Sequence, residues 1–75
     1  EALFQKRRAL RLDIARELGK PPYIVFSDKT LRDMVRVKPI TDDQFLAVNG
    51  VGESKLKQYG ERFMAAIRED SGDEA

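Results

Sequence analysis

The chain has 75 residues, 36% of them charged, and contains neither cysteine nor histidine. A chain this short buries only about 60% of the surface it exposes when unfolded, so it makes one domain with one small core and little room for an enclosed active site. Without cysteine or histidine, disulfides, thiol nucleophiles, imidazole bases and the usual zinc sites are excluded. The net charge of +1 is unevenly spread: all 14 basic residues and nine of the 13 acidic ones fall within 1–68, giving +5, while 69–75 carry −4. A basic body suits a polyanion, although a charged face is ordinarily just solvated surface. The acidic stretch 69–75 is expected to be a disordered tail, screening that surface or serving as a linker end. No apolar run approaches the roughly 20 residues of a membrane span and no signal-peptide pattern opens the chain, so no membrane contact is expected. A soluble, intracellular monomer is the expectation. Because it begins at Glu1 without a methionine, the chain reads as a piece of a longer protein.

The first helix is expected from Ala2 to Leu18, stopped by Gly19 and kept from continuing by Pro21 and Pro22. Leu3, Phe4, Leu10, Ile14, Ala15 and Leu18 form one stripe, the expected core face. Arg7 and Arg11 fall inside it; their stems can pack on apolar surface while the guanidinium reaches a helix C-terminus or a carboxylate, a structural role.

Pro21-Pro22-Tyr23-Ile24-Val25-Phe26 follows. Two prolines fix the backbone in a tight extended or 3₁₀ entry, and the next four side chains fan around it. They cannot all reach a core this small. Ile24 and Phe26 are the better candidates for burial, and Tyr23, with its hydroxyl, tolerates water best. A rigid, exposed Tyr23 close to Arg16 and Lys20 has the parts of a single-strand stacking platform. The competing reading is a core tyrosine bonded to backbone.

Ser27 is expected to cap a helix from Asp28 to Val37 that buries Leu31, Met34 and Val35, presents Lys29, Arg32 and Arg36 on another face, and ends at Pro39. Thr41 and Gln44 form a capping box for a short third helix. The last helix begins at Glu53, is interrupted by Gly60, and buries Leu56, Tyr59, Phe63, Met64 and Ile67. Between these two lies Asn49-Gly50-Val51-Gly52, with Lys55 three residues on. Glycines at i and i+2 supply positive backbone dihedrals, and the turn leaves free N–H groups of the next helix for a phosphate oxygen. That is the pattern of a helix-hairpin-helix; the bland alternative is that Gly50 and Gly52 only permit close helix packing. No segment alternates like a strand. The expected fold is all-α, a compact bundle of four to five helices.

Taken in order, Leu10-Arg11 with Ile14-Ala15, the run from Pro21 to Leu31, Pro39-Ile40-Thr41, Val48 to Gly52, Lys55 and Tyr59-Gly60 resemble the HRDC domain, the helicase-and-ribonuclease-D C-terminal module. The likeness covers Leu3 to about Arg68 and is greatest to the HRDC domains of bacterial RecQ DNA helicases. It implies a helical bundle outside the motor, in a cytoplasmic, nucleoid-associated bacterial protein active in DNA repair and recombination. ATP binding and hydrolysis would then belong to upstream helicase domains of the same chain, themselves a partner. It also implies an aromatic at the Tyr23 position that contacts single-stranded DNA within a basic surround.

The expected function is therefore an accessory domain that binds single-stranded DNA or DNA junctions weakly and modulates substrate choice, using Tyr23, Lys20, Arg16, Gly50, Gly52 and Lys55. No catalytic residue, metal or cofactor is expected: Asp42-Asp43 and Asp13 with Glu17 sit where capping and solvated helix faces normally put acids. The alternatives are an HRDC domain that docks on protein, or the RNA-binding HRDC domain of a ribonuclease D. Nothing resembles a recognition helix carrying Asn, Gln and Arg toward base edges, which favours sequence-tolerant contact.

Overall fold

Helix α1 runs from Ala2 to Leu18 in the computed structural model, which describes residues 2–73 and side chains to residue 70. Its end is a Schellman turn: Gly19 takes φ +67°, its N–H bonds the Arg16 carbonyl at 3.2 Å, and the Lys20 N–H bonds the Ala15 carbonyl at 3.0 Å. Phe4, Ile14 and Ala15 are buried as the stripe predicts, and so are Arg7 and Arg11. Leu18, expected in the core, is instead exposed, because the chain leaves the bundle at Gly19 and nothing packs over the last turn's outer side.

A single turn, α2 (Pro22–Val25), has Pro22 at its first position, where the missing N–H costs nothing. Within this turn Val25 and Phe26 enter the core and Ile24 stays exposed, reversing the expected burial of Ile24. Phe26 follows the turn in extended conformation, φ −151° and ψ 146°, and its side chain enters the core together with that of Val25, the turn's last residue.

Helix α3 (Asp28–Val37) starts where expected, with the Ser27 hydroxyl accepting from the Thr30 N–H at 3.2 Å. It closes on Lys38 in the left-handed region, φ 54°, ahead of a buried Pro39. In α4 (Asp42–Leu46), Thr41 Oγ1 accepts from the Gln44 N–H at 3.2 Å; the Gln44 side chain reaches back one residue further than a standard box, to the Ile40 N–H at 2.9 Å.

The last helix is continuous: α5 (Glu53–Lys55), a π turn (Leu56–Gly60) and α6 (Glu61–Asp73). The interruption expected at Gly60 is thus a wide turn that ends there, with no break in the rod. One extra residue in the turn rotates α6 by about 100° relative to α5, and Tyr59, Phe63, Met64 and Ile67 are then all buried. A Cβ on Gly60 would meet Leu56 Cδ1 at 2.7 Å, so glycine suits the tight inner side of the turn. Residues 69–73 of the expected acidic tail continue α6, and Asp70 is ion-paired to α1; residues 74–75 lie outside the described residues.

These five helices, counting α5 to α6 as one, form an all-α bundle with no strand among the described residues. Phe26 is the hub of its core. Its ring meets Phe45, Tyr59 and Phe63 edge to face, with centroids 6.0, 5.8 and 5.2 Å away, the geometry aromatic quadrupoles favour. Leu31, Met34 and Val48 complete the packing.

Candidate nucleic-acid interface

Tyr23 is 68% exposed. Pro21 (φ −62°, ψ 146°) and Pro22 set its backbone, and the Ile24 N–H closes the turn on the Pro21 carbonyl at 3.1 Å. Its hydroxyl bonds none of the described residues, which removes the core-tyrosine alternative. Arg16 and Lys20, on the last turn of α1 and just beyond it, are exposed, and neither makes an ion pair among the described residues. Glu17, a neighbour that could have neutralised them, pairs with Arg62 on α6 at 2.9 Å.

The α2 turn is held from below by Arg11. Its Nη1 donates to the Phe26 carbonyl oxygen at 2.9 Å and lies 2.7 Å from Asp28 Oδ1. That hydrogen bond holds the Asp28 carboxyl below the usual range, and the charges of Arg11, Arg8 and Arg32 push in the same direction. Arg32 also stacks on the Phe4 ring, 4.3 Å from its centroid.

The Asn49–Gly52 turn lies against α3. Gly50 takes φ +89°, and a Cβ there would overlap Thr30 Oγ1. Gly52, expected to share the left-handed region, has φ −112° and open space at its Cβ position; it is the N-cap of α5. Two N–H groups of the turn are used internally: that of Asn49 donates to Asp33 Oδ2 at 2.8 Å and that of Val51 to the Val48 carbonyl at 3.1 Å. The Asn49 bond is the main cause of a lowered Asp33 pKa, with Arg36 second. Lys55 is half-buried, its Nζ 5.5 Å from the centre of the Phe26 ring. Tyr23, Arg16 and Lys20 are therefore exposed around the connection from α1 to α2, while Gly50, Gly52 and Lys55 belong to a turn docked on α3 and the core.

Three further cations are committed elsewhere. Lys6 and Arg7 both bond Asp70, at 3.0 and 2.6 Å, and Arg68 donates to the Ile40 carbonyl at 2.7 Å. Sequence reasoning missed a cleft of about 300 Å³ between α1 and α2, lined by Gln5, Arg8, Ala9, Arg11, Leu12 and Pro22. Its signal was present: Gln5, Arg8, Ala9 and Leu12 follow i, i+3, i+4, i+7, a second face of α1 beside the core stripe.

The chain matches the family model of the HRDC domain over residues 1–67. It is 44% identical over 68 residues to the ATP-dependent DNA helicase RecQ of Bacillus subtilis, covering 91% of this chain and 12% of that protein. With the RecQ helicase of Haemophilus influenzae the identity is 46% over 67 residues, 89% of this chain and 11% of that one. The ATP-dependent DNA helicase UvrD2 of Mycobacterium tuberculosis is 35% identical over 68 residues, 91% and 10% of the two chains. The chain thus spans only 10–12% of these relatives' length. Among solved structures, D. radiodurans RecQ HRDC domain 3 superposes with a TM-score of 0.83 at 34% identity, covering 87% of this chain and 86% of that one.

Proposed function

The chain belongs to the HRDC domain family, and on that premise we propose that it is the accessory, non-catalytic nucleic-acid-binding domain of a RecQ-type DNA helicase. It contacts single-stranded DNA weakly and so biases which substrates the motor engages. The observation that carries this reading is Tyr23, 68% exposed on a proline-fixed turn, with Arg16 and Lys20 unpaired among the described residues. A base stacks on the phenol ring, worth about 1–3 kcal/mol, and the two cations attract the flanking phosphates. Because stacking on a π-face does not depend on base identity, contact is sequence-tolerant. Titration of the chain with labelled oligo-dT at two salt concentrations tests it: the two cations give a log–log slope of roughly −1.4, and each further phosphate contact adds about −0.7. No binding at low salt, or tight binding insensitive to salt, refutes it.

A second reading draws on one observation. Leu18 and Ile24, close to Tyr23 in the chain, are exposed at 46% and 39%, and exposed apolar side chains also suit docking on a protein surface, such as that of the helicase motor.

A further inference from the structure

The cleft between α1 and α2 is unlike an ordinary surface dimple. Its lining combines the apolar Ala9, Leu12 and Pro22 with Gln5, the exposed Arg8 and Arg11, which is 8% exposed. Leu12 is 38% exposed there, an aliphatic side chain left partly in water. Arg8 is exposed, and its one side-chain bond is a long one, 3.5 Å to Gln5 Oε1. Arg11 spends Nη1 on the Phe26 carbonyl and Asp28, so the outward charge of the cleft is chiefly that of Arg8. Pro22, which closes the cleft, is the residue before Tyr23.

Apolar side chains and a guanidinium lining one cleft match the two halves of a nucleotide, a base and a phosphate. At about 300 Å³ it is at the small end of ligand-binding pockets. We infer that this cleft holds the nucleotide next to the one stacked on Tyr23, with its base against Ala9, Leu12 and Pro22 and its phosphate on Arg8. The inference rests on the stacking role of Tyr23 and deepens it: adjacent nucleotides are joined through one phosphate, so a base on Tyr23 brings its neighbour to the Pro22 side. The footprint on single-stranded DNA then covers α1 as well as the α2 turn, on the face of α1 beside the core stripe. Asp28 becomes an internal competitor, a carboxylate seated among Arg11, Arg8 and Arg32 where a phosphate would otherwise gain from them.

The test combines amide spectra of the wild-type chain with anisotropy titrations of labelled oligo-dT against Leu12→Glu, Arg8→Glu and Tyr23→Ala, with Lys57→Glu as a charge control in a separate cleft, lined also by Asp42, Glu61 and Arg68. Adding oligo-dT should move the Ala9 and Leu12 amides of the wild type. Leu12→Glu and Arg8→Glu should each weaken binding about fivefold or more, the lower edge of the stacking range, with Lys57→Glu having a clearly smaller effect and thermal melting unchanged. If Tyr23→Ala weakens binding while the cleft amides and both cleft variants are silent, the inference falls and the stacking reading stands. If the cleft variants weaken binding and Tyr23→Ala does not, the cleft is the site and the stacking reading falls. A wild type that binds no oligo-dT overturns both. A glutamate-rich peptide that moves Ala9 and Leu12 where oligo-dT does not assigns the cleft to protein and overturns the inference. The wild-type spectra decide the matter even if a variant fails to fold.

Discussion

Arg11 Nη1 donates to the carbonyl oxygen of Phe26 at 2.9 Å, joining the middle of α1 to the hub of the aromatic core. Phe26 is 1% exposed, and a buried carbonyl without a donor is costly. One guanidinium thereby satisfies the backbone just after α2 and anchors the turn that displays Tyr23. Arg11→Met keeps the apolar stem and removes the donor. The unsatisfied carbonyl should cost about 1–3 kcal/mol, read as a lower urea midpoint, and oligo-dT affinity per folded molecule should fall as the turn loosens. An unchanged midpoint would show that the bond contributes nothing.

The two glycines of the 49–52 turn should respond differently to alanine. At Gly50 the positive φ and the overlap with Thr30 Oγ1 act together, so Gly50→Ala should lose about 1 kcal/mol or more. At Gly52 the backbone is extended and the space open; the change should cost about 0.5 kcal/mol, the modest preference of an N-cap for glycine over alanine. Thermal melts of both variants check this, and equal losses contradict it.

Tyr23→Ala should weaken oligo-dT binding by about 1–3 kcal/mol while leaving the melting temperature nearly unchanged, since a side chain 68% in water supports little packing. Tyr23→Phe should bind almost as the wild type does, because the aromatic face remains. Loss of stability with normal affinity of the folded fraction rejects the stacking role.

Asp70 predicts the response to acid. Hydrogen bonds from Arg7 first, then Lys6, hold its carboxyl below the ordinary range, and Asp33 and Asp28 are lowered too. A depressed folded pKa stabilises fully above the unfolded value and is lost as pH falls through the folded one. The urea midpoint should therefore stay level from neutral pH to about 5 and drop below about 4, near the unfolded carboxylate pKa. Asp70→Asn should lower the midpoint at pH 7, because Arg7, 4% exposed, loses its carboxylate, and should flatten the decline at low pH. Truncation after Arg68 should reproduce the loss at pH 7. A midpoint rising toward pH 3 would reverse the sign and reject the account.

What the sequence determined by itself is the set of boundaries. Gly19, Ser27, Pro39 and Thr41 act through dihedral limits and capping bonds within four residues, so the ends of α1, α3 and α4 are readable without a partner. For Tyr23 the two prolines and the hydroxyl favoured exposure but left a core tyrosine open, and the 68% exposure chose between them. The tertiary structure alone decided the rest. Whether Ile24 or Val25 is buried depends on how the α2 turn seats on the core, where Phe26 inserts among Phe45, Tyr59 and Phe63. Lys6 and Arg7 are neutralised by Asp70, and Glu17 by Arg62, across separations of 64, 63 and 45 residues that no local pattern encodes. The Asn49 N–H is claimed by Asp33, 16 residues away, so the glycine turn that looked most like a phosphate cradle is fastened to α3. Spacing along a chain fixes dihedrals and faces; which charges remain for a ligand is settled only once distant side chains have met.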